Sequence, residues 1–319
     1  MKFCLVAPGF MDIPPKSWGA VEIIIWDYKH HLELLGHEVH IVNCNNKFET
    51  LHKINKLNVD VCHCHYDVYY DVLNDCNATV KLMTSHCGSI RGDLNENDYD
   101  RWFKKDILPR LNSGNFYNLC LDNFIYNLYE SLGFDKTKLK INKNAARSDL
   151  IKFKNIPETN DTICLGQIQK RKRQYLLENL NVFFVGNINS DSPMQKNKRI
   201  LGEWSKDYLY ENLTDNANLI LLSESEAAPL VILEGLMAGL GIVVSESCTA
   251  NLDVDKHFID VIPEKYIKDV EYIDYIIKKN KFVSLSMRPQ IRDYAVKNHS
   301  YECIIPEYLS TIDSIISNS

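Results

Sequence analysis

Short apolar runs of four to six residues, each too brief for a buried helix, recur along this chain in two series with amphipathic stretches between them. The first series opens at residues 3–7 and continues through a loop at 8–18 that carries three prolines. Residues 19–35 then place Val21, Ile24, Ile25, Tyr28, Leu32 and Leu35 at helical spacing, and Gly36 stands where a helix would close. Further strands are expected at 39–42, 59–63 and 80–85. After a polar stretch at 152–161, read as a linker, the pattern restarts with strands at 162–165, 182–185, 219–222 and 242–245 and helices at 266–279 and 300–316. Strand and helix alternating at this rhythm argue parallel sheets covered on both faces. The chain is therefore expected to be α/β, with two Rossmann-like domains, at 1–150 and 160–299, facing a central cleft. The last helix, about 300–319, is expected to pack back on the first domain. A length of 319 residues suits two such domains.

Composition removes several function classes. A net charge of −6 gives no broad basic surface for nucleic acid. No apolar run approaches the roughly 20 residues of a bilayer span, although peripheral membrane contact stays open. Pro8 interrupts the N-terminal apolar run too early for a signal-peptide core, so the ten cysteines are expected to be reduced thiols in a cytoplasmic protein.

The most informative stretch is 221–245, LLSESEAAPLVILEGLMAGLGIVVS. A strand ends near Leu222, a polar loop follows, and Pro229 stands at the expected first helical position. The helix then runs to about Ala238. Its first backbone N–H groups, at Leu230 and Val231, together with the helix dipole favour an anion such as a diphosphate. Glu226 lies in the loop ahead and Glu234 on the helix, among the apolar Val231, Leu233, Leu236 and Met237. Carboxylates so placed repel phosphate but accept hydrogen bonds from sugar hydroxyls. Upstream, Lys170, Arg171, Lys172 and Arg173 follow the first strand of the second domain, a counter-charge for a polyphosphate in an otherwise acidic chain.

Glu226 and Glu234, with the Met-Ala-x-Gly and apolar strand behind them, resemble the E-x7-E motif of the retaining GT-B glycosyltransferases of family 4. The resemblance implies that Glu226 contacts the donor sugar and Glu234 the ribose. Ala227-Ala228-Pro229 replaces the usual Gly-Phe-Gly. Lys172 matches the lysine of the family's Gly-Arg-x-x-x-x-Lys stretch. Gln167 stands where its arginine is expected, leaving Arg171 or Arg173 to substitute. In the first domain, 14–22 resembles the Gly-Gly-x-Glu loop: Gly19 matches, Ala20 replaces the second glycine, and Glu22 follows. His86, after the strand at 80–85, matches a histidine that hydrogen-bonds the donor sugar. Asn144 resembles a structural asparagine ahead of the interdomain linker.

Two tempting metal patterns are weaker. In Cys62-His63-Cys64-His65, strand alternation sends cysteines and histidines to opposite faces, so a strand with histidines at the cleft edge is preferred to a tetrahedral ion. Asp98-Tyr-Asp100 and Asp253-Val-Asp255 are formally D-x-D, but such short matches are common by chance.

The resemblance implies transfer of a sugar from a nucleotide-diphosphate sugar to a glycan, lipid or protein acceptor, with retention of configuration and with neither metal nor cofactor. Lys172 and its arginine neighbours would neutralise the leaving diphosphate. Acceptor contacts are expected from 92–116. The alternatives are a catalytically weak nucleotide-sugar-binding module and a Rossmann-type oxidoreductase. Against the latter, no G-x-G-x-x-G follows either opening strand.

Overall fold

The computed structural model describes residues 1–16, 18–91 and 98–318. In chain order the elements begin with β1 (Lys2–Ala7), α1 (Ala20–Leu34), β2 (Glu38–Asn43), α2 (Lys47–Leu57), β3 (Val61–Cys64) and α3 (Tyr70–Asp75). They continue with β4 (Val80–Met83), α4 (Asp98–Trp102), α5 (Leu108–Ser113), β5 (Tyr117–Cys120), α6 (Asn123–Ser131) and β6 (Leu139–Ile141). The second series is β7 (Thr162–Leu165), β8 (Val182–Val185), α7 (Lys206–Asn212), β9 (Asn218–Leu221), α8 (Leu230–Met237), β10 (Gly241–Ser245) and β11 (Ile259–Ile262). Two helices, α9 (Val270–His299) and α10 (Tyr301–Ser317), end the chain.

These elements form two compact units, Met1–Asn144 together with Tyr301–Ser319, and Ala145–Ser300. The first holds a six-stranded sheet in the order β2-β1-β3-β4-β5-β6, the second a five-stranded sheet in the order β11-β10-β9-β7-β8. Every pairing between neighbouring strands is parallel. Helices cover the sheets, which explains why Phe3 to Ala7 and Ile242 to Ser245 are buried without alternation. In each unit the opening strand lies between two later ones: β1 between β2 and β3, β7 between β8 and β9. Crossovers leave such a strand in opposite directions, so the loops beyond its carboxyl end part and leave a crevice, where ligands of open α/β sheets bind.

Several elements differ from expectation. Strands β5, β6 and β11 were not anticipated, because each has only three or four residues and carries a polar side chain such as Asn118, Lys140 or Asp260. Helix α9 starts only where Asp269 accepts a hydrogen bond from the Tyr272 N–H, and it runs on to His299 through Pro289. The stretch 152–161, read as a linker, is bonded into the second unit: Lys152 N–H to Tyr210 O, Lys154 N–H to Thr214 Oγ1, Thr159 N–H to Asp215 O. Arg288 on α9 secures the same region. Its buried guanidinium donates to the carbonyls of Lys154, Thr214, Asn216 and Ala238 at 2.6–3.1 Å.

Candidate functional site

The crevice rule points to the loops after β7 and β9 in the second unit. The chain leaves β7 at Gly166, whose φ is +123°, and passes under Gly186, whose φ is +150°. A Cβ at residue 186 would lie 2.1 Å from the Gly166 carbonyl oxygen, so this crossing requires glycine. Lys170–Lys172 then form one tight 3-10 turn that ends with Arg173 in the left-handed region, φ +55°. The buried Gln174 holds the turn from below, donating from Nε2 to the Gln167 carbonyl at 3.0 Å. Gln167 thus contributes backbone to the loop's frame.

The turn meets the β9 loop through charge. Lys172 Nζ lies 2.6 Å from Glu226 Oε1, with both side chains 13% exposed. Arg171 reaches the same oxygen at 3.3 Å and also donates to the Ser225 carbonyl, while its own carbonyl accepts from the Glu224 N–H at 2.9 Å. Burial alone would push the Glu226 carboxyl up. The Lys172 ammonium and the Arg171 guanidinium outweigh it and hold the group below its usual range, hence ionised at neutral pH. Arg173 is turned away to Glu224 at 3.3 Å and Glu264 at 2.9 Å. Of the four consecutive cations, Arg171 and Lys172 are the two that face Glu226.

Helix α8 follows directly. Pro229 is its N-cap, with extended ψ of 119°, one position earlier than expected, and Leu230 is the first helical residue. Pro229 makes no side-chain cap hydrogen bond, Leu230 and Val231 form the helix's first turn, and Ala227 and Ala228 lie in the loop just ahead of it. Glu234 is 3% exposed and pairs through Oε1 with Lys206, the first residue of α7. Its Oε2 is buried without a hydrogen-bond partner among the described residues. Lys206 is the partner that a carboxylate among apolar neighbours needs, and the sequence reading missed it. The ion pair joins residues 28 positions apart on different helices, with no local spacing to reveal it.

In the first unit, Gly19 is the N-cap of α1 at φ +126°, and a Cβ there would come within 3.0 Å of Glu22 Oε2. Ala20 opens the helix, and Glu22 is a buried acid in its first turn. His86 follows β4 and is partly exposed. Its Nε2 lies 3.1 Å from Nδ1 of His65, which follows the neighbouring β3. His63 and His65 are buried, at 0% and 3% exposure. They pack among Tyr28 and the α10 residue Tyr308, whose hydroxyl lies 3.2 Å from His63 Nδ1. Burial holds His86 down to about 4 and His63 to about 3, so these imidazoles are neutral at physiological pH. Asn144 is buried at the end of the first unit. The acceptor region expected at 92–116 falls partly on residues 92–97, outside the described residues. Among the described residues no three His, Cys, Asp or Glu side chains are grouped to hold a metal ion. No helix of the described residues is long and apolar enough to cross a membrane.

No protein-family model matches the chain, and no curated protein matches it by sequence. Solved structures do. Sucrose-phosphate synthase from Thermosynechococcus elongatus superposes over 100% of both chains with a TM-score of 0.76 at 13% identity. HepE from Anabaena, solved with UDP and glucose, covers 98% of this chain and 100% of its own at TM-score 0.73 and 11% identity. AviGT4, a glycosyltransferase of avilamycin A biosynthesis, covers 100% and 98% at TM-score 0.70 and 13% identity. At such identities the likeness speaks to architecture. The two parallel sheets with their flanking helices are those of the GT-B glycosyltransferases, and this chain has that α/β two-domain fold.

Proposed function

We propose that the chain is a retaining, metal-independent glycosyltransferase that takes a sugar from a nucleotide-diphosphate donor, with the second unit binding the nucleotide sugar. One observation carries this reading: Lys172 and Arg171 meet Glu226 at the carboxyl ends of β7 and β9, beside the uncapped start of α8. A diphosphate there would replace the Glu226 carboxylate on Lys172 with its own oxygens, and the first N–H groups of α8 would donate to the oxygens that remain. Glu226, released from Lys172, would then hold the donor sugar's hydroxyls while cationic character develops at the anomeric carbon. Charge stabilisation on the departing diphosphate is the main catalytic contribution in such a site, worth several kcal/mol. HepE, of the same fold, is solved with UDP-glucose, which makes UDP-sugars the first donors to try.

Glu234 is assigned to the ribose. Its orphaned Oε2 is an acceptor in want of a donor, and a ribose hydroxyl becomes one if the side chain turns outward from Lys206. His86 is assigned to the donor sugar, and Gly19 and Ala20 to backbone near the phosphates. The acceptor is a glycan, lipid or protein.

Incubation with a panel of nucleotide sugars in the presence of EDTA tests the reading. Slow release of nucleoside diphosphate is expected, and NMR of a transferred product should show the donor's anomeric configuration kept. Binding of nucleotide sugars without turnover would favour a binding module instead. Absence of binding across the panel would remove the proposal.

A further inference from the structure

His65 and His86 follow the ends of the neighbouring parallel strands β3 and β4, whose last residues, Cys64 and Met83, pair in register. Their rings stack at 5.4 Å between centroids, 15° apart, with Nδ1 of His65 3.1 Å from Nε2 of His86. His65 is fixed from every side. Its backbone N–H donates to the Val6 carbonyl at 3.0 Å, its ring lies 3.9 Å from that of His63, and Tyr28 meets it edge-on at 6.1 Å. His65 Nε2 is buried and has no hydrogen-bond partner among the described residues.

Two neutral imidazoles carry one N–H each, and the contact between them needs one hydrogen. If His86 supplied it from Nε2, His65 would carry its own hydrogen on Nε2, an N–H buried with no acceptor. Buried orphan N–H groups are rare and costly, more so than a bare lone pair. If His65 supplies it from Nδ1, its Nε2 is only an unused lone pair, and His86 must carry its hydrogen on Nδ1. Burial lowers the pKa of all three histidines, so the doubly protonated form does not enter at neutral pH.

We infer that His65 is a positioning residue that locks His86 as the Nδ1–H tautomer, so that the other ring nitrogen of His86, Nδ1, is an obligate hydrogen-bond donor. Whatever meets His86 must then offer a lone pair: a hydroxyl or ring oxygen of a sugar, or a phosphate oxygen. Its class as a sugar contact rests on the function proposed above, but the tautomer does not.

The experiment labels the histidines of the full chain with 15N and reads long-range proton–nitrogen correlations. His86, assigned by its loss in His86→Gln, should show a protonated Nδ1 and a bare Nε2. A protonated Nε2 on His86 overturns the inference whatever the protein's activity. In His65→Phe, which removes the donor, His86 should become a mixture of tautomers, while His65→Asn, which keeps an N–H donor, should restore the wild-type pattern. If the donor assay is positive, His65→Phe should lower kcat/KM roughly fivefold to tenfold, the size of one hydrogen bond, with His65→Asn recovering most of it. An unchanged His86 tautomer in folded His65→Phe also refutes the positioning role. Should that variant fail to fold, the wild-type spectrum alone decides.

Discussion

A diphosphate that binds Lys172 must first displace Glu226, which gives an unusual expectation for Glu226→Gln: nucleoside diphosphate should bind more tightly to the variant. Glu226 is ionised at neutral pH and touches Lys172 at 2.6 Å. With a phosphate oxygen in its place on Lys172, the displaced carboxylate would still sit about 5 Å from that oxygen. At that distance, repulsion between unit charges is about 0.8 kcal/mol in water and about 3 kcal/mol at the effective dielectric of a protein surface. The side chains are 13% exposed, so the effect should fall between these limits. At 1.4 kcal/mol per tenfold, the gain in affinity is roughly tenfold. UDP is the right ligand, because it lacks the sugar that Glu226 is proposed to hold. Calorimetric titration at neutral pH should show the gain and its decline with added salt, since screening weakens both charges. The same variant should lose transfer at least a hundredfold, because the negative charge beside the developing cation is gone. Equal or weaker UDP binding by folded Glu226→Gln would refute the idea that Lys172 receives the diphosphate.

Lys172→Ala should lower transfer at least a hundredfold while the fold is kept, and wild-type turnover would remove it from the mechanism. Gly186→Ala should cost about 3 kcal/mol or more in urea denaturation, because its Cβ would meet the Gly166 carbonyl in a conformation that alanine resists. Arg288→Lys should be nearly as destabilising as Arg288→Ala, by about 3 kcal/mol, since an ammonium cannot reach four carbonyls and the rest stay buried unpaired. A stable lysine variant would show that those carbonyls find other donors. Stability should also fall as pH drops below about 6.5. There the unfolded chain protonates His63, His65 and His86, whose folded pKa values are depressed, so the unfolded state binds more protons. Asp67, raised to about 7 by burial, binds its proton first in the folded state and opposes this trend with a single group. Urea midpoints between pH 7 and pH 4, compared in wild type and His63→Phe, should show a shallower loss in the variant.

Much of this architecture is written in local pattern. The runs at 162–165 and 182–185 are strands with the bounds expected, because a parallel strand buried on both faces reads as a short, nearly continuous apolar run. The loop, helix and strand at 221–245 were legible for the same reason, with Pro229 displaced by a single position to the N-cap. Strand β11 was not legible. Asp260 interrupts it, and its salt bridge to Lys279 at 2.6 Å forms only when α9 packs beside it. The basic run at 170–173 was visible as charge, but nothing in KRKR says which cations face Glu226. That choice follows from the left-handed turn at Arg173, which delivers its side chain to Glu264.

By itself the sequence determined the class of fold and the two series of parallel strands, and it offered the residues proposed to serve a nucleotide sugar, because periodicity, glycines and charge runs act over a few neighbours. Only the tertiary structure decided how those residues pair. Lys172 with Glu226, Lys206 with Glu234, and His65 with His86 are contacts between residues 54, 28 and 21 positions apart. Such pairings depend on which strands lie side by side and which loops part at the sheet's reversal, and that order is set by packing a whole sheet at once.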